Sequence, residues 1–307
     1  MLLLVALCSQ AQQPPKPAAP PKSEPAVTAP EYIGSEVCQA CHEDIFTRFV
    51  KSPHQAVETS KKFARAGQAC ESCHGPASNH AESTSAADIR NPAKLSVGQA
   101  DQGCLTCHLN QPTHAGRIQS GHAKGQVSCS GCHTIHGSAA ELTTTKPAQI
   151  NAQCSTCHLS SWAQFQRPHA HRVAQGAMSC VDCHNPHGTF RPQMARAFAA
   201  NEPGCLRCHT DKRGPFVFEH APVRLEGCNG CHEPHGSANP RMLSRHEVRF
   251  VCLECHANVG VIPASSAGRV LGGVPPSFHD LRSPRFRNCT ICHQKVHGSH
   301  VDRNYLR

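Results

Sequence analysis

The chain has 307 residues, a formal charge of +9 and only 5% aromatic residues, with one Trp and two Tyr against 21 cysteines and 24 histidines. That is too little apolar bulk for one large packed core, and no basic–aromatic interleaving of the kind that stacks nucleic-acid bases is present. Beyond the N-terminus no run reaches ~18 apolar residues, so no helix of this sequence spans a bilayer.

The N-terminus, MLLLVALCSQAQQ, is a short apolar run with no Lys or Arg before it. Residues 1–11 read as a secretory signal, truncated at its basic end, with Ser9-Gln10-Ala11 as a small-residue cleavage site. Lipid attachment at Cys8 is the alternative; the bulky Leu7 before it counts against that. Residues 12–30 are rich in Pro and Ala and read as an extended tether. The folded part begins near Tyr32-Ile33-Gly34 and is expected to fill 31–307 as one unit.

Within it CxxCH occurs ten times. The cysteine pairs are Cys38/Cys41, Cys70/Cys73, Cys104/Cys107, Cys129/Cys132, Cys154/Cys157, Cys180/Cys183, Cys205/Cys208, Cys228/Cys231, Cys252/Cys255 and Cys289/Cys292. A lone CxxC fits a redox pair or half a zinc site, and many cysteines fit a disulfide framework. Neither explains a histidine after every pair. CxxCH is the attachment signature of c-type haem: two thiols three residues apart on one helical turn reach both vinyl groups. The next histidine then lies under the iron. The proximal ligands are therefore His42, His74, His108, His133, His158, His184, His209, His232, His256 and His293.

The motifs fall into five two-haem repeats: 31–80, 104–137, 154–188, 205–236 and 252–298. In the middle three, successive motifs start 23 to 26 residues apart. About 27 residues per haem cannot enclose each haem in a core of its own. The expected fold is a multihaem cytochrome c with little regular secondary structure, its short helices and loops set around a linear chain of haems. Helices are expected at 45–50, after Asp44, and at 56–65. The Ser-, Ala-, Gly- and Pro-rich stretches 81–103 and 257–288 read as surface loops. Haem propionates add about −20 and ferric porphyrin cores about +10, so the oxidised holoprotein lies near −1. The basic residues are then partners of propionates rather than of phosphates.

Fourteen histidines lie outside the motifs. Two classes recur. His122, His171, His220 and His279 stand seven to ten residues before the second motif of a repeat. His136, His187, His235 and His297 follow that motif and precede a glycine. His54 and His80 hold looser versions of these places in the first repeat. These ten would supply a distal ligand to every iron. His187 follows His184 by three residues, too short a reach to round a porphyrin edge; it is expected to ligate a neighbouring haem. His114, His169, His246 and His300 are left over, with His169 competing with His171 and His300 with His279.

A catalytic haem needs an open iron position. No motif carries lysine in place of its histidine, and the spare histidines suffice to close every iron. The reading is an electron carrier; a multihaem reductase is the weaker one.

The linking text adds a resemblance. CESCHGPASNH (70–80), CVDCHNPHG (180–188), DKRGPFVFEHAP (211–222), CHEPHGSANPRML (231–243) and VHGSHVDRNYLR (296–307) resemble the decahaem cytochromes of the MtrA/DmsE type. The resemblance implies ten bis-histidine haems c and the distal set given above, with His279 or His300 as the tenth. It implies a periplasm-facing protein sheathed in an outer-membrane β-barrel. Such a protein takes electrons from periplasmic donor cytochromes and passes them to an extracellular multihaem cytochrome or terminal reductase, or runs in reverse. A soluble periplasmic shuttle or an extracellular haem-filament subunit is the alternative.

Overall fold

The computed structural model describes residues 29–63, 65–137, 146–189, 197–198, 202–256 and 284–307. The expected signal, Cys8, most of the tether and His279 lie outside these residues.

Each motif is one helical turn. The proximal histidine N–H donates to the carbonyl of the first cysteine at 2.9 to 3.0 Å at His42, His133, His158, His184, His209, His232, His256 and His293. The other two motifs end the helices Ala69–His74 and Val97–His108. Between the motifs run short helices, Glu43–Phe49 and Gln55–Thr59 among them, the latter followed by a 3-10 turn at Lys61–Phe63. Residues 45–50 are thus helical nearly as expected, whereas 56–65 is broken after Thr59. The only ladder among the described residues pairs Ala197 with Pro203 and Phe198 with Glu202.

One expected loop is not a loop. Residues 97–103 form the first half of the helix Val97–His108. Ser96 and Gln99 make a reciprocal capping box at its start, satisfying N–H groups that the helix cannot. The small residues around it gave the stretch a loop-like composition.

Apolar burial is sparse. Among the described residues the buried apolar side chains are Phe49, Ala69, Ala77 and Val173, whereas nine buried ones are polar or charged. Several of those nine are joints. Ser35, Asp101 and Asn151 each stand three residues before the first cysteine of a repeat. Each accepts the N–H of the first cysteine of the second motif: Ser35 Oγ from Cys70 at 3.4 Å, Asp101 Oδ1 from Cys129 at 2.9 Å, Asn151 Oδ1 from Cys180 at 2.9 Å. Asp101 also takes Arg117, and Asn151 Nδ2 donates to the carbonyls of Val173 and Met178 at 2.9 and 2.8 Å. A buried polar group is stable only when so bonded. These pins fold the two motifs of a repeat onto each other. Glu71 does the same for the chain entry, taking the N–H groups of Ile33, Gly34 and Ala77 at 3.0, 2.9 and 3.0 Å.

Repeats meet at seams made of backbone. His169 bridges Ser237 and Phe218 bridges Ser299, each antiparallel. Three of the four glycines after the HG histidines have φ of +106° (Gly188), +142° (Gly236) and +144° (Gly298). A Cβ there would stand 2.5 Å from Gly116 O, 2.4 Å from Gln164 O and 2.2 Å from the Phe216 ring, respectively. Only glycine adopts the conformation and leaves room for the preceding repeat.

Candidate haem-binding site

The first cysteines of the two motifs in a repeat lie close enough for their thiols to perturb one another: Cys38 with Cys70, Cys104 with Cys129, Cys154 with Cys180, Cys205 with Cys228 and Cys252 with Cys289. Across the seams, partial desolvation and then cysteines of the next repeat push up the thiols of Cys73, Cys132 and Cys183; at Cys231 desolvation and Glu226 come first and Cys255 of the next repeat follows. Motifs adjacent in sequence are therefore adjacent in space. None of the twenty motif cysteines is in a disulfide; all are free thiols.

The two cysteines of a motif are not equivalent, although the sequence presents every pair as one attachment unit. The second cysteines Cys41, Cys208, Cys255 and Cys292 are exposed rather than enclosed, as are Cys73, Cys107, Cys132, Cys157 and Cys183; only Cys231 among the second cysteines is half-buried. The first cysteines are half-buried, Cys205 excepted. The reason is local. Contact with its counterpart draws the first thiol of a turn into the joint, whereas the second faces outward and the polypeptide does not cover it. A planar macrocycle laid against the turn can reach an outward thiol, so the exposure of Cys41, Cys208, Cys255 and Cys292 fits attachment even though no protein wall encloses them.

Every proximal histidine from His42 to His256 faces one histidine from outside the motifs. The ring pairs are His42–His80, His108–His54, His74–His136, His158–His122, His133–His187, His209–His171, His184–His235, His256–His220 and His232–His297. Their centroids lie 5.9 to 6.3 Å apart, beyond direct contact. Two metal–nitrogen bonds of ~2 Å each, plus half of each ring, put trans imidazoles about 6 Å apart. The pairs fit an iron between them. No cluster of three or more His, Cys, Asp or Glu suited to a bare metal ion occurs among the described residues.

The partners are never those nearest in sequence beyond the first repeat. His54, His122, His171 and His220 each face the first motif of the following repeat. His136, His187, His235 and His297 each face the second motif of the preceding one. The ring opposite His184 is His235, and His187 faces His133. His80 alone stays within its repeat. For His293 the sequence offers two candidates, His279, which lies outside the described residues, and His300, whose ring packs on Phe216 at 5.2 Å.

Backbone carbonyls orient these rings. His122 Nδ1 bonds Pro186 O at 2.9 Å, His171 Nδ1 bonds Pro234 O at 2.7 Å, and His220 bonds Val296 O. Each acceptor is the residue just before the next repeat's HG histidine, so the two distal imidazoles of a seam are locked to one another. On the proximal side His74, His232 and His293 bond the carbonyls of Arg90, Arg241 and Asn304 at 2.9, 2.9 and 2.6 Å. A donated Nδ1–H leaves the Nε2 lone pair for a metal. His54 differs: its Nδ1 is buried with no hydrogen-bond partner among the described residues. Burial first, then neighbouring charged groups, pushes His187 and His297 down to about 4. Burial likewise lowers His54, His74, His220 and His235. A neutral ring is the form that ligates.

Large apolar side chains stand bare beside the motifs, among them Leu109 (66% exposed) and Leu159 (67% exposed), each directly after a proximal histidine. A macrocycle would cover them. The leftover histidines do other work: His169 supplies a seam bridge by its backbone, and His246 packs on Phe250 at 5.1 Å. His114 lies against His187. The sequence reading missed the pins; their signal was a polar residue three places before the first cysteine of a repeat.

Paired motifs, folded two by two and each offering two thiols and a histidine, define a multihaem c-type cytochrome, an electron-transfer protein with covalent haem. The doubled CXXCH motif family matches residues 171–214 and 220–260, and the NrfB-like cytochrome c-type protein family matches 70–157. The multiheme cytochrome MtrA of Shewanella baltica (strain OS185) is 35% identical over 274 residues, which cover 87% of this chain and 78% of that protein. The chain belongs to the MtrA family of multihaem cytochromes.

Proposed function

We propose that this chain binds ten haems c, all bis-histidine, and carries electrons across the outer membrane between periplasm and cell surface. The carrying observation is the ring pairing. Each of nine proximal histidines has a distal partner, and eight of those partners come from the adjoining repeat. The haems would supply reversible one-electron chemistry; the nine histidine pairs would hold nine irons from both faces and leave no substrate position open there. The chain is read as a carrier and not an enzyme.

The pairing rule bears on the tenth ligand too. Forward-facing histidines of the first four repeats serve the next repeat, and backward-facing ones of the last four serve the repeat before. One histidine and one haem remain over at each end. At the first end they are His80 and the haem of Cys38/Cys41. At the other they are His279 and the haem of Cys289/Cys292. This supports His279 as the tenth distal ligand, with His300, whose ring packs on Phe216, as the alternative.

No helix among the described residues is long and apolar enough to cross a membrane. A polar, loop-rich chain cannot face lipid with its backbone groups unmet. Membership of the MtrA family supports the solution, a sheath supplied by an outer-membrane β-barrel, with periplasmic donor cytochromes on one side and an extracellular multihaem cytochrome or terminal reductase on the other. Mild-detergent extraction of outer membranes, followed by capture of this protein, is the test. A stoichiometric large β-barrel supports the conduit; recovery alone in the soluble periplasmic fraction leaves a shuttle. Ferric EPR tests the ligand set: the folded holoprotein gives low-spin signals only.

A further inference from the structure

We propose that His114 is a positioning residue for the haem held by Cys129 and Cys132. It seats His187 from the side and offers its buried Nδ1 as the acceptor for the hydrogen on that ring's iron-remote nitrogen. The inference rests on His133 and His187 being an axial pair.

Two observations carry it first. The His114 and His187 ring centroids are 4.3 Å apart and the rings are inclined at 61°, an edge contact. The His114 Nδ1 is buried and has no hydrogen-bond partner among the described residues. An unmatched buried nitrogen is costly unless a donor reaches it, and the ring set against it is His187.

The backbone holds this contact from both sides. Asn185 Nδ2 donates to Thr113 O at 2.8 Å and to Gly188 O at 2.9 Å. Gly188 in turn presses on Gly116, where a Cβ would stand 2.5 Å from the carbonyl oxygen. Residues on either side of His114 are thus clamped to residues on either side of His187.

The next seam is an internal control. His114 follows Cys107 by seven residues, and Gln164 follows Cys157 by seven. Gln164 Oε1 lies 3.0 Å from the Nδ1 of His235, the ring opposite His184. Two successive seams therefore set the side chain from the same motif position against the equivalent distal ring. In the seam after that the equivalent residue is Pro215, which has no side-chain acceptor. An acceptor on the remote nitrogen makes an imidazole a stronger donor to iron and favours the ferric state.

The test uses the full-length holoprotein with His114→Leu, His114→Ala and His114→Gln. Leu and Ala are expected to raise the midpoint potential of one haem in ten and to shift one low-spin EPR signal. Gln, the amide of the sister position, is expected to restore both. In a His187→Ala background, adding His114→Ala should change nothing further at that haem. Should Ala fail to take up haem, Leu against Gln carries the comparison. Unchanged potential and EPR in Leu and Ala overturn the proposal, as does a Gln variant that behaves like Leu. A low-spin signal kept in His187→Ala and lost in the double variant would make His114 a spare ligand instead, and also overturn it. High-spin iron in the unaltered protein would instead refute the axial pairing beneath it.

Discussion

The joints within a repeat and the seams between repeats solve one problem with different materials. Within a repeat, a side chain reaches to a cysteine N–H, and Ser35, Asp101 and Asn151 all serve. Between repeats, backbone meets backbone, and the requirement is a glycine with positive φ and a carbonyl aimed at an imidazole. Joints therefore tolerate chemical variety, because any acceptor of the right length suffices. Seams tolerate little, because excluded volume and dihedral angle set them.

The largest effect should come from the seam. Gly236→Ala would force a Cβ to 2.4 Å from Gln164 O at a φ of +142°. Strain and clash together are expected to cost about 3 kcal/mol or more. Soret-monitored thermal unfolding would measure it, and a variant as stable as the parent would remove the distinction drawn here.

The joint comes next. Asp101→Ala strands Arg117 and the Cys129 N–H, at a cost of about 2–3 kcal/mol; Asp101→Asn keeps the bond to Cys129 and should lose less. Burial alone would raise the Asp101 carboxyl, but the bonds from Cys129 and Arg117 outweigh it and hold it below the ordinary range. Its contribution is then full above the unfolded value of ~3.9 and falls away as pH drops through the lower folded value. The stability gap between the parent and Asp101→Asn should narrow below about pH 4 in denaturant titrations; a constant gap would mean the charge is idle.

The seams are not equal. His122, His171 and His220 rest on a carbonyl and His54 does not. Loss of such a second bond typically weakens a metal site about 10–100-fold. Added cyanide should therefore displace His54 first, converting the haem of Cys104/Cys107 at least about tenfold faster than those opposite the other three. Uniform conversion would mean the carbonyls do not matter.

The smallest effect is expected at Arg167, which bonds Glu233 at 2.7 Å and Gly236 O at 2.9 Å while half exposed. Arg167→Ala should cost about 0.5–1 kcal/mol, read by the same unfolding assay. A loss matching that of Gly236→Ala would show that the seam depends on this ion pair.

What the sequence made legible is what chemistry forces into local spacing. The CxxCH turns, the HG dipeptides and the two classes of spare histidine are short-range patterns, and the three-residue gap from His184 to His187 bears on which haem His187 can reach. The choice of partner was out of sight. His122 Nδ1 meets the carbonyl of Pro186, 64 residues away, and only the folded seam brings them together. The pins were invisible because a single Ser, Asp or Asn before a motif reads as surface. The unequal exposure of the two thiols in a motif was hidden for the same reason, since it depends on the joint and not on the spacing. The helix Val97–His108 was hidden by small residues, although its capping box stood in the sequence. His114 looked like a solvated spare because its sister is a glutamine, which no search for histidines would align with it.

The crossed pairing of rings makes the chain extensible. Each interior repeat lends one imidazole forward and one backward and borrows one from each side. Splicing in another copy between two repeats would leave no iron short of a ligand and no histidine idle. Removing a fraction of a repeat would orphan an iron on both flanks of the cut. Length is thus quantised in steps of two motifs, and whole repeats can be added or removed without redesigning either terminus.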